Sequence, residues 1–95
     1  MKIYIAGPIT GVFDYKKNFK ATEEKLSSMG HTVLNPAMLP SGLKNYMGIC
    51  KAMIDEADAV FFKDGWESSI GSCEEYQYAC ATNKRIINKG DAYGD

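Results

Sequence analysis

The sequence predicts an α/β protein: a small Rossmann-like (flavodoxin-like) three-layer sandwich with a parallel sheet of about four strands in the order βαβαβαβ. Three observations predict it. Short runs of β-favouring apolar residues, at positions 2–6, 31–35, 57–63 and 85–88, alternate with longer segments whose apolar positions recur at helical spacing. Glycine, proline or asparagine punctuates the ends of several of these runs. Finally, 95 residues can bury one core and no second one, and strands that alternate with helices imply parallel pairing through right-handed crossovers, with helices covering both faces of a single sheet. Residues 1–95 are therefore expected to be a single domain, with no repeat, linker or low-complexity segment.

Strand one, residues 2–6, stops at Gly7-Pro8, whose proline has no N–H to give to a ladder. Residues 16–29 place Phe19, Leu26 and Met29 among lysines and glutamates, which suits a helix with one stripe on a sheet. Gly30 follows as its C-terminal cap. Strand two, residues 31–35, ends at Asn35-Pro36, and residues 36–44 carry Pro36, Pro40, Ser41 and Gly42, the composition of an irregular loop. Asn45 caps helix two, on which Tyr46, Ile49, Cys50, Met53 and Ala57 share a face. Strand three is the buried run 57–63, helix three covers about 71–82, and strand four is 85–88. The polar, glycine-containing tail 89–95 is expected to be loose unless a partner chain holds it.

Composition excludes several classes of function. A hydrophobic content of 45% with 24% charged residues is that of a folded globule rather than a disordered chain. A net charge of -1 offers no electrostatic footprint for a nucleic acid polymer or an anionic membrane. No apolar run approaches the roughly 20 residues of a membrane span, and the opening apolar stretch is too short for a signal peptide, so a cytoplasmic protein is expected. Cys50, Cys73 and Cys80 are odd in number without Cys-x-x-Cys spacing, and His31 is the single histidine. Neither a disulfide framework nor a metal site is expected, and no cofactor.

Two segments carry candidate chemistry. After strand one, Gly7, Pro8, Ile9, Thr10 and Gly11 form a loop whose glycines let backbone approach a ligand, with Thr10 adding a hydroxyl. It is neither a dinucleotide fingerprint nor a phosphate loop ending in Gly-Lys-Ser/Thr. After strand three, Ser69 leads into a helix start at Gly71-Ser72, whose free N–H groups and positive dipole end favour an anion such as a 5′-phosphate. Glu75 lies one turn further in. Each of these residues also has a plain structural use: Ser69 or Ser72 as a helix cap, Glu74 or Glu75 as a complement to the dipole. In an open α/β sheet both segments leave the same carboxyl edge, where ligands bind.

YIAGPITG at 4–11, Gly30-His31 with Asn35-Pro36, Ala57-Asp58, GWESS at 65–69 with Gly71, and Glu75 with Ala79 together resemble the nucleoside 2-deoxyribosyltransferase superfamily, above all its short, mostly uncharacterised phage and bacterial members. That superfamily also includes the 2′-deoxynucleoside 5′-phosphate N-hydrolases. The likeness runs from strand one to strand four. It implies cleavage of an N-glycosidic bond, or deoxyribosyl transfer, on a nucleoside or nucleoside 5′-monophosphate. Glu75 would be the nucleophile acting with retention, as in retaining glycosidases. The hydroxyl matching Ser69 lies near the 5′-phosphate in the N-hydrolases, where many transferases carry an aspartate that would repel it. The resemblance further implies a homodimer or larger oligomer.

One position departs from the pattern. Eight residues before Asp58 the family usually has an acid that orients sugar or base; here it is Cys50, and a thiol does not accept hydrogen bonds as a carboxylate does. Asp55 and Glu56 turn away from that position on the helix. The alternative is thus a nucleotide-binding or sequestering protein without turnover. Tyr4 is open between core packing and contact with the base, and Trp66 between packing and stacking on it. Asp58 is expected to pair locally, and Lys16, Lys17, Lys20 and Lys25 to form a solvated helix face.

Overall fold

The computed structural model describes residues 1–93. Four parallel strands, β1 (Lys2–Ala6), β2 (Thr32–Leu34), β3 (Ala59–Phe62) and β4 (Arg85–Ile87), lie in the order β2-β1-β3-β4. They alternate with α1 (Tyr15–Ser28), α2 (Tyr46–Glu56), α3 (Ile70–Ala81) and a short α4 (Lys89–Tyr93). This is the α/β sandwich that the sequence predicts. The order reverses direction between β1 and β3, so the crevice outside their carboxyl ends is the topological switch point.

The period-two alternation of β1 and β3 gives the core two layers, one on each face of the sheet. Ile3, Ile5, Ala59, Phe61 and Ile87 face one way, meeting Phe19 and Leu26 of α1, with Tyr93 of α4 packed against them. Tyr4, Ala6, Val60 and Phe62 face the other way, meeting Cys50 and Ile54 of α2 and Ala79 of α3. All four β3 residues are buried, as a central strand covered on both faces requires. Burying each large apolar side chain contributes about 1.5–3 kcal/mol.

Local chemistry sets the element ends. Gly30 takes φ +92°, while its N–H reaches Ser27 O and that of His31 reaches Leu26 O, the paired bonds of a glycine-terminated helix. Asn45 accepts from Gly48 N and starts α2. Asp58 accepts from Lys2 N at 2.9 Å, the local pairing expected of it. Lys16, Lys17, Lys20 and Lys25 are exposed on α1.

Some expectations change. Asn35 ends β2 but also accepts from Ala37 N, and so caps a 3-10 turn, Pro36–Met38, inside the segment expected to be irregular. Only Cys50 of the three cysteines is buried; Cys80 is exposed. In the tail, residues 89–93 are helical because Asn88 and Asp91 cap each other reciprocally, each side chain accepting the other's backbone N–H, and Tyr93 packs on Phe61 at 5.6 Å. Expectations for residues 94–95 lie outside the described residues. No helix among the described residues is long and apolar enough to cross a membrane.

Candidate active site

Three chain segments meet at the switch point. The loop after β1 brings Gly7, Ile9 and Thr10; the N-terminal turns of α3 bring Ser69, Gly71, Ser72 and Glu75; and the start of α2 brings Tyr46 and Met47. Together they line a cleft of about 250 Å³. A second hollow of about 380 Å³ shares Thr10, Ser69 and Gly71 with it and adds Pro8. The two adjoining spaces reach the size of small-molecule sites, roughly 300–1,000 Å³.

Ser69 is the residue just before α3: its hydroxyl accepts from Ser72 N at 3.2 Å, and its carbonyl accepts from Cys73 N. The capping use is therefore real, and it leaves the Ser69 O–H proton available as a donor. The N–H groups of Ile70 and Gly71, at the open end of the helix, find no acceptor among the described residues. Ser72 is 2% exposed, and its hydroxyl is the one buried side-chain polar atom among the described residues without a hydrogen-bond partner. Buried polar groups are normally paired. Ser72 is one of the residues that line the cleft.

Glu75 follows Ser72 by three residues and Gly71 by four, so all three share one helix face. It is 6% exposed. Tyr4, wholly buried on β1, donates its hydroxyl to Glu75 Oε2 at 2.5 Å. Burial pushes the Glu75 carboxyl up to about 7, against the pull of the Tyr4 hydroxyl and the Cys50 thiol, while Glu74 adds a small push. Burial, with the nearby Glu75 charge, drives the Tyr4 phenol far above its ordinary range. Burial is also the main cause raising Cys50, with Tyr4 pulling the other way. A carboxylate held by a phenol, beside a thiol and a set of unfilled amide donors, can deliver a negative oxygen to an electrophilic carbon while an anionic group is held nearby.

Not every residue singled out from the sequence arrives at the cleft. Gly11 takes φ +76° in the loop but lines neither space. Trp66 stacks on Tyr76 at 4.9 Å and 18° and meets Phe62 at 4.9 Å, and the hollow it lines is a separate one beside Asp64 and Lys89. Packing is its observed role. Tyr4 joins both of its readings, being a core residue whose hydroxyl reaches the candidate nucleophile. Tyr46 and Met47 were missed as site residues; the signal was their place at the first turn of α2, directly after the Asn45 cap.

A family model described as a domain of unknown function, DUF4406, matches residues 1–88. No curated protein matches the chain. Since the match takes in every strand and all three long helices, the chain belongs to the DUF4406 family.

Proposed function

We propose that this protein breaks the N-glycosidic bond of a nucleoside or nucleoside 5′-monophosphate, by hydrolysis or by transfer of the deoxyribosyl group, with Glu75 as nucleophile. The observation that carries this reading is the buried Glu75 carboxylate, pinned through Oε2 by Tyr4 and lining the switch-point cleft one helical turn from unfilled amide donors. In the first step a Glu75 oxygen bonds to the anomeric carbon as the carbon–nitrogen bond breaks; its electron pair leaves with the base, which takes up a proton from solvent water. Water or a second base then attacks that carbon, the ester bond breaks with its electrons returning to the carboxylate, and the attacking group releases its proton to solvent. Two inversions give net retention. Ser69, the Ile70 and Gly71 amides and Thr10 would hold the 5′ end, and Ile9, Tyr46 and Met47 would face the base.

Incubation with deoxynucleoside 5′-monophosphates, followed by chromatography for free base, tests this reading. Expected is base release that rises with pH through about 7 as Glu75 ionises. Glu75→Gln should abolish release while the nucleotide still raises the thermal midpoint. Unchanged turnover in that variant removes Glu75 from the mechanism. One observation favours binding without turnover as the second reading: among the described residues Glu75 is the one carboxylate lining the cleft, and Cys50 stands beside it where the resembled superfamily has an acid. Thermal stabilisation of the native protein with no base released would select it.

A further inference from the structure

We infer a second site, for a phosphate group, on the opposite face of the sheet, where Lys63, Thr22, Lys89 and Tyr93 surround a cavity under α4. Lys63 follows β3 directly, and its N–H bonds Ala6 O at 2.8 Å. Its stem passes so close beneath Gly7 that a Cβ at that position would sit 3.0 Å from Lys63 Cβ. The ammonium emerges on the α1 side, 2.7 Å from Thr22 Oγ1 and 5.6 Å from the Phe19 ring centroid. There it faces a cavity of about 240 Å³ lined by Thr22, Phe61, Lys63, Asp64, Lys89 and Tyr93.

An ammonium has three protons to donate, and Thr22 takes one. Lys63 makes no ion pair among the described residues, not even with Asp64, the one carboxylate in the lining. Desolvation holds this lysine below its ordinary pKa, while the nearby Asp64 charge, too far for an ion pair, acts in the opposite direction. Lys89 lines the same space, so among the described residues two lysines and one carboxylate, Asp64, line the cavity, and Lys25 sits over the ring of its Tyr93 wall at 4.6 Å. An oxyanion there would accept the two free Lys63 protons in charge-assisted bonds. The other use of such a lysine, covering Phe19 with its methylenes, needs no ligand at all.

Gly7 lies between the two sites, lining the cleft on one side and resting on the Lys63 stem on the other. The second site shares no lining residue with the cleft and does not depend on the glycosidic reading. The test is a titration of the full ¹⁵N-labelled chain with inorganic phosphate, against sodium chloride at matched ionic strength, following backbone amide shifts. Saturable shifts at Thr22, Lys63, Lys89 and Tyr93 are expected. Lys63→Met, which keeps the stem and drops the charge, should weaken them at least tenfold, and the exposed Lys89→Ala should weaken them too. Shifts at Ile70 and Gly71 report the cleft and should persist in both variants. Absence of saturation around Lys63, or an unchanged midpoint in both variants, overturns the second site and leaves the cleft reading standing. A response around Lys63 with none at Ile70 and Gly71 upholds this site and counts against the phosphate role of the cleft.

Discussion

Replacing Glu75 with glutamine should make the protein more stable at neutral and alkaline pH, because the carboxylate costs folding energy. Its folded pKa is about 7 against an ordinary 4.5, and the side chain is 6% exposed. The folded state therefore binds more protons than the unfolded chain between those values, and stability falls as pH rises through that window. The loss begins near pH 4.5 and is complete a little above pH 7. Two and a half pH decades at about 1.4 kcal/mol each give a penalty of about 3 kcal/mol. Glutamine keeps the shape and still accepts from the Tyr4 hydroxyl, but it does not ionise. The assay is urea unfolding of native and Glu75→Gln proteins at several pH values from 4 to 8.5. The two curves should lie close near pH 4.5 and separate as pH rises, with the variant ahead by up to about 3 kcal/mol above pH 7. Parallel pH profiles, or a native protein that gains on the variant as pH rises, would refute the claim that burial dominates at this carboxylate. The same variant should release no base, so stability gained and activity lost would appear in one molecule, as expected where a functional group is held against its solvation preference.

Two further outcomes follow from the same geometry. Ser69→Ala removes the side chain that caps α3 and should cost about 1 kcal/mol in urea unfolding; by the proposed chemistry it should also raise KM for 5′-monophosphates more than for nucleosides, and an equal effect on both would detach Ser69 from the phosphate. Gly30→Ala puts a side chain at φ +92°, with open space around it, so only backbone strain is at stake. A loss of about 1–2 kcal/mol is expected with base release unchanged, and no loss in unfolding experiments would show that the α1 terminus relaxes freely.

Much of the scaffold was readable because local signals agreed with one another. Asn45, Ser69 and Gly30 mark helix ends by chemistry confined to a few neighbouring residues, and the alternation in β1 declares its two faces whatever lies above them. The tail misled because its composition is polar while its structure depends on a reciprocal Asn88–Asp91 cap, a pairing of side chain with backbone that hydropathy does not register. Trp66 was ambiguous for another reason: a tryptophan beside a glycine suits a binding wall or an aromatic stack equally well, and the choice fell to Phe62 and Tyr76, which lie on two different elements.

The sequence by itself determined the α/β class, the helix ends at Gly30, Asn45 and Ser69, and the two loops that leave the carboxyl edge of the sheet. Those properties depend on spacing and composition over a few residues. Only the tertiary structure decided that Tyr4 and Glu75, 71 residues apart, share a hydrogen bond, that Cys50 lies against them, and that Ser72 is left without a partner at the cleft. It also carried Lys63 beneath Gly7 to the other face of the sheet, opposite the cleft. Hydrogen bonding, desolvation and cavity shape act between atoms in space, and the alternating order of strands and helices announces parallel crossovers without saying which side chains they bring into contact.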